Sequence, residues 1–134
     1  MFDAASFLRV VAFAVIYAGI EYRYVNRYER DYTKTAEGFV EKPALYVFAP
    51  YHVYFLVPLF ALVSFDWPFT TWVANGLVLA VLEDLAYFVW RGRRVAKGEW
   101  TTTIMGSFGV AGVEVPAWWP VDILVAAVLY LLPF

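Results

Sequence analysis

Glu21, His52, the adjacent pair Glu83 and Asp84, and Asp122 are the side chains of this sequence that can move protons or ligate a metal from apolar surroundings. Glu83 and Asp84 interrupt an otherwise apolar run over residues 69–90, long enough to cross a bilayer. Two neighbouring carboxylates inside hydrocarbon are costly to bury, so they mark a functional site. On a helix, Glu83 shares a stripe with Trp72, Gly76, Leu79 and Trp90, whereas Asp84 is turned about 100° away, toward Tyr87 and Arg91. Gly76 lets another helix approach closely, so the Glu83 stripe is expected to face a bundle interior and Asp84 to pair with Arg91.

Carboxylates and imidazole on facing helices hold hard or borderline divalent ions, whose charge offsets the penalty of burying the acids. Glu21, His52, Glu83, Asp84 and Asp122 are therefore expected to form a metal site for zinc, iron or manganese. An ion with open positions would activate water or oxygen against a lipid or isoprenoid substrate. The Glu-x-x-His pattern of soluble di-iron bundles does not occur, and the chain has a single His. The plainer expectation is a set of structural pairs: Glu21 with Arg23 or Arg91, Asp84 with Arg91 or Arg94, and Asp122 capping or facing water.

Arg91, Arg93 and Arg94, followed by a loop rich in Thr, Ser and Gly, form a second candidate, a grip for a phosphate or lipid headgroup. Anchoring of a cytoplasmic loop would account for the same arginines. Neither a Walker pattern nor a dinucleotide glycine pattern is present, so nucleotide binding has no support. Glu29, Asp31, Glu37 and Glu41 dilute the basic stretch before helix two, which argues against nucleic acid as a partner. Without cysteine there are no disulfides and no thiolate chemistry.

The elements that must position these groups follow from composition. A chain of 134 residues that is 63% hydrophobic and 21% aromatic is too apolar to hide its surface as a soluble domain. The expected fold class is an all-α integral membrane protein, a single domain over residues 1–134. Four transmembrane helices are predicted at about 2–32, 43–65, 68–91 and 117–134. Asp3 in place of a basic n-region makes the first apolar segment a retained helix rather than a signal peptide. Tyr17, Glu21, Tyr24, Tyr28 and Tyr32 form one helical stripe and Arg23, Arg27, Arg30 and Lys34 another, which carries helix one past the membrane.

Helix two is expected to bend or restart, because Pro50 and Pro58 each remove a backbone donor. Asp66 is expected to cap helix three, with Pro68 in its first turn. His52 lies fourteen residues before Asp66 and Glu83 fifteen after Pro68. At about 1.5 Å per residue both sit roughly 21–23 Å from that turn, in one layer. The segment 92–116 is a loop in which a small β-hairpin around Ala111 and Gly112, or a lid, is expected. Trp118 and Trp119 mark the interface where helix four enters.

Eight of the ten basic residues fall in 22–42 and 92–116, the two loops that a four-helix chain places on one side, and Arg91 adjoins the second of them. The positive-inside rule makes those loops cytoplasmic and puts both termini outside a cell membrane. The exception, Arg9, is expected to snorkel outward or to pair with Asp3 or Asp66. The functional expectation is a metal-dependent membrane site acting on a lipid or isoprenoid. Two alternatives stand beside it: a non-catalytic subunit of a larger membrane complex, and a homo-oligomeric carrier in which Glu83 and His52 exchange protons or ions. Membrane lipids are the expected partners in every case.

Overall fold

The structure, a computed structural model, describes residues 3–24 and 50–132. Helix α1 spans Ala4–Arg23 and begins at Asp3, whose extended backbone and carboxylate cap the N–H groups of Ala5 and Ser6. Its buried face, Ser6, Val10, Ala14, Tyr17, Ala18 and Glu21, recurs every three to four residues. The extension to residue 32, the stripe through Tyr28 and Tyr32, and the basic stripe through Arg27, Arg30 and Lys34 lie outside the described residues.

Helix α2 runs over His52–Ser64. Its first five residues, His52–Leu56, form a π-helical turn in which the Val57 N–H bonds to the His52 carbonyl. In an α-helix the Pro58 ring would press on the carbonyl of Tyr54, which its missing N–H could not satisfy either. The irregularity expected from the prolines is thus a widened turn just ahead of Pro58.

Helix α3, Phe69–Arg91, is the central element, with α1, α2 and the last helix packed against it. Its N-cap is Pro68, whose carbonyl receives the N–H groups of Thr71 and Trp72. The expected Asp66 cap is not formed, since the helix begins two residues later and the Asp66 carboxylate takes the Trp67 N–H instead. Gly92 ends α3 in the left-handed region at φ 72°.

A four-residue helix, α4 (Trp100–Thr103), precedes the antiparallel strands β1 (Ser107–Val110) and β2 (Val113–Pro116), paired Ser107 to Pro116 and Val110 to Val113. Ala111 and Gly112 make the connection, both at positive φ (48° and 77°), as a type I′ hairpin turn requires. Helix α5, Trp118–Tyr130, comes directly after, with Pro120 in its first turn where a missing N–H is harmless.

Small residues let α1 and α3 approach. Val10 and Ala14 meet Ala74, Val78 and Leu79 in one buried cluster that also takes Ala126 of α5. Farther along, a Cβ added at Gly19 would lie 2.9 Å from the Trp90 indole, whose Nε1 donates to the Val15 carbonyl at 2.9 Å. Helices α1 and α3, of 20 and 23 residues, are long and apolar enough to cross a membrane. Helix α5 has 13 residues and α2 is similarly short, below the roughly 20 a span needs. Among the described residues the length criterion is therefore met by two helices rather than four.

Candidate ligand cavity

Between α2 and α3 lies a cavity of about 660 Å³, and Glu21, His52, Glu83, Asp84 and Asp122 all line it. Helix α3 supplies one wall through Phe69, Trp72, Gly76, Ala80 and Glu83, a stripe at helical spacing. From Phe69 to Asp84 that wall is about 22 Å long at 1.5 Å per residue. Phe60, Ala61 and Ser64 face it from α2. The space exists because small residues meet there: a Cβ at Gly76 would come within 3.6 Å of Ser64 Oγ. Most of the wall is hydrocarbon or aromatic, and the acids gather toward the end where α4 and α5 arrive.

Glu83 and Asp84 are both buried, and so is Glu21, while His52 and Asp122 are half-buried. Asp84 is 1% exposed. Its Oδ2 accepts from Thr101 Oγ1 at 2.6 Å and from Trp119 Nε1 at 2.8 Å. Trp118 Nε1 in turn reaches the Thr101 carbonyl at 3.0 Å and its hydroxyl at 3.1 Å. The short helix α4 and the start of α5 are thereby fastened to α3 through one carboxylate. A buried carboxylate that accepts two donors is held in one rotamer.

The expected Asp84–Arg91 pair is not formed. Arg91 bonds to Glu99, a carboxylate 1% exposed, and its guanidinium lies over the Phe88 ring, 4.6 Å from the centroid. Arg93 is 3.6 Å from the same carboxylate. Asp84 was open to this reading because it and Arg91 share a helix face, but Glu99 returns across the Gly92 turn and takes the guanidinium first. Arg91 is accordingly committed to an internal ion pair, whereas Arg93 and Arg94 border a separate pocket of about 400 Å³ with Leu85, Val89 and Trp119. Trp118 is buried within the fold and donates a hydrogen bond there.

A second polar layer pins the opposite end of the bundle. Asn75, 1% exposed, donates to Ser6 Oγ at 2.9 Å and to the Ser64 carbonyl at 3.2 Å, and accepts from Tyr130 at 2.6 Å. Arg9 donates to Ser6 Oγ at 3.0 Å and to the Phe65 carbonyl at 2.7 Å. It therefore bends toward the turn between α2 and α3, on the side of Asp66. The Ser6 hydroxyl holds the Asp66 carboxyl below its usual range, with the Trp67 N–H and the Arg9 charge helping against a push from burial.

No known protein family, curated protein or solved structure matches the chain. The capabilities of the site rest on its own chemistry. Among the described residues no three His, Asp or Glu side chains converge closely enough to hold a metal ion. The five expected ligands share a cavity but come from four helices around it, and Asp84 Oδ2 is already engaged by Thr101 and Trp119. The expected zinc, iron or manganese site finds no support among the described residues. The cavity is instead an elongated apolar space with proton-accepting groups at one end.

Thr101 and Glu99 carry no signal in the sequence of their part in the site, and Trp118 and Trp119, expected at the interface, also hold the site region together. The signal was present in the two tryptophans, since a buried indole N–H needs an acceptor.

Proposed function

We propose that this chain is an integral membrane protein that binds a lipid- or isoprenoid-class molecule along the groove between α2 and α3, its polar end against the carboxylates. The observation that carries the reading is the gathering of Glu21, His52, Glu83, Asp84 and Asp122 at one end of an otherwise apolar cavity of about 660 Å³. Insertion is supported by the outer surface: Leu62, Val89 and Leu131 are 75%, 73% and 84% exposed, on three different helices or their ends. So much apolar side chain turned outward suits hydrocarbon better than water. The orientation proposed with it puts the segment 92–116 on the cytoplasmic side, in keeping with its arginines.

The acids and His52 can accept hydrogen bonds from a polar head and exchange protons with it, and the apolar wall fixes the tail. The test is binding of a brominated long-chain alcohol in nanodiscs, read by quenching of tryptophan emission, since Trp72, Trp100 and Trp118 border the space. Saturable quenching that Ala80→Trp abolishes, and that Leu62→Trp on the exposed face leaves intact, is expected. Quenching no stronger than that of the surrounding bilayer, and equal in both variants, overturns the reading.

A further inference from the structure

Resting on the reading that α3 crosses a membrane, we propose that the second pocket, at the end of α3, is a site for an anionic phospholipid whose phosphate is held by Arg94. The pocket has a volume of about 400 Å³ and lies among the last turns of α3, the Gly92 turn, strand β2 and Trp119. Leu85, Val89 and Gly92 recur along one side of it at helical spacing. Leu85 is 43% exposed and Val89 73% exposed, so this apolar stripe continues from the pocket onto the outer surface of the helix. An acyl chain lies along the stripe while its headgroup enters between the arginines and β2.

The level suits a headgroup. The 23 residues of α3 measure about 35 Å at 1.5 Å per residue, slightly more than the roughly 30 Å of a hydrocarbon core. Arg93 and Arg94 follow directly on its cap, Gly92, at the depth of lipid phosphates. Charge complementarity names the class of lipid. Arg93 and Arg94 border the pocket as cations, against one carboxylate, Glu114, which takes the Ser107 hydroxyl across the hairpin. Arg93 lies 3.6 Å from Glu99, which Arg91 also binds, so part of its charge is engaged inside the fold. Arg94 is exposed and in no ion pair among the described residues, which makes it the principal phosphate ligand. Its planar fork of donors matches two phosphate oxygens at once. A choline or ethanolamine head would bring an ammonium group to the same arginines, so a head with net negative charge is favoured.

The full chain in a neutral detergent is titrated with phosphatidylglycerol or phosphatidylcholine of identical acyl chains, and native mass spectrometry counts the lipid bound. One phosphatidylglycerol is expected to bind about fivefold or more tighter than phosphatidylcholine. Arg94→Gln should abolish the preference, whereas Lys97→Gln, which removes an exposed cation outside the pocket lining, should keep it. Thermal unfolding of both variants checks that the fold is unchanged. Excess glycerol phosphate should leave the lipid bound, because the acyl chain contributes; displacement overturns a membrane lipid as the occupant in favour of a free phosphate. Equal affinity for the two lipids, or equal losses in the two variants, overturns the site while leaving the membrane reading intact. That reading is tested separately by flotation with phosphatidylcholine liposomes. A native chain that stays in solution without detergent and does not float overturns insertion, and this site with it.

Discussion

Trp119 Nε1 donates to Asp84 Oδ2 at 2.8 Å, joining side chains 35 positions apart in the sequence. Asp84 is thereby both a wall of the cavity and the fastening for the segment that closes one end of it. Deleting the carboxylate would confuse these two parts, but deleting its donors separates them.

Thr101→Val removes the hydroxyl that donates at 2.6 Å and takes the Trp118 indole, leaving a buried carboxylate short of a partner. We expect a loss of about 1–2 kcal/mol in stability, the range for a buried polar group that loses a hydrogen-bond partner. Thr101→Ser should recover most of it. Reversible unfolding in mixed detergent micelles, monitored by circular dichroism, measures both.

Glu99→Ala leaves the Arg91 guanidinium, only 10% exposed, without its anion. Breaking a buried pair from one side costs about 3–5 kcal/mol. The double change Arg91→Met with Glu99→Leu should cost clearly less, because the only charge then left without this partner is that of Arg93, which is 52% exposed. The same unfolding measurement applies, and a double variant as unstable as Glu99→Ala would count against the pair as described.

Ala111 sits at φ 48°, a conformation that a side chain with a Cβ disfavours, beside Gly112 at φ 77°. Ala111→Asn would give the Asn-Gly sequence preferred by type I′ turns and should raise stability by roughly 0.5–1 kcal/mol. Hydrogen exchange of the hairpin amides should slow accordingly. Unchanged or faster exchange would show that the turn is not of this type.

Asp66 lies in the turn between α2 and α3, with its carboxyl held below the usual range by the Ser6 hydroxyl first of all. A folded value below the unfolded one means that its contribution is present above about pH 4 and is lost as acid protonates the folded carboxylate. Asp66→Asn should therefore flatten the fall of unfolding midpoint below that pH and lower the midpoint at neutrality. A titration of the midpoint from neutral pH downward, native against variant, decides it.

The parts of the fold that the sequence made legible are those where local chemistry leaves one answer. Ala111-Gly112 between alternating valines specifies a hairpin, because the turn demands positive φ at both centres. His52 and Glu83, which counting from the turn after α2 puts at one depth, line one cavity, although its length of about 22 Å leaves their relative depth open to other values. The partners of Asp84 were not legible: Thr101 comes from an irregular stretch with no periodicity to aim it, and Trp119 reads equally well as an interface residue. The cap of α3 failed for a related reason. Asp66, Pro68 and Phe69 all suit a helix start, and composition cannot choose the residue at which winding begins.

The π-helical turn at His52–Leu56 has a geometric effect on the site. Such a turn accommodates one residue more than α-helical winding would, a rotational offset of about 100° between the residues on its two sides. Tyr51, hydrogen-bonded to Tyr17, and His52 are thus aimed separately from Phe60 and Ser64, although one helix carries them all. The widened turn works as a phase shifter: rewinding the same residues as α-helix would turn Tyr51 and His52 by about 100° relative to Phe60 and Ser64, whereas losing a single residue there would let α winding return with both flanks in place.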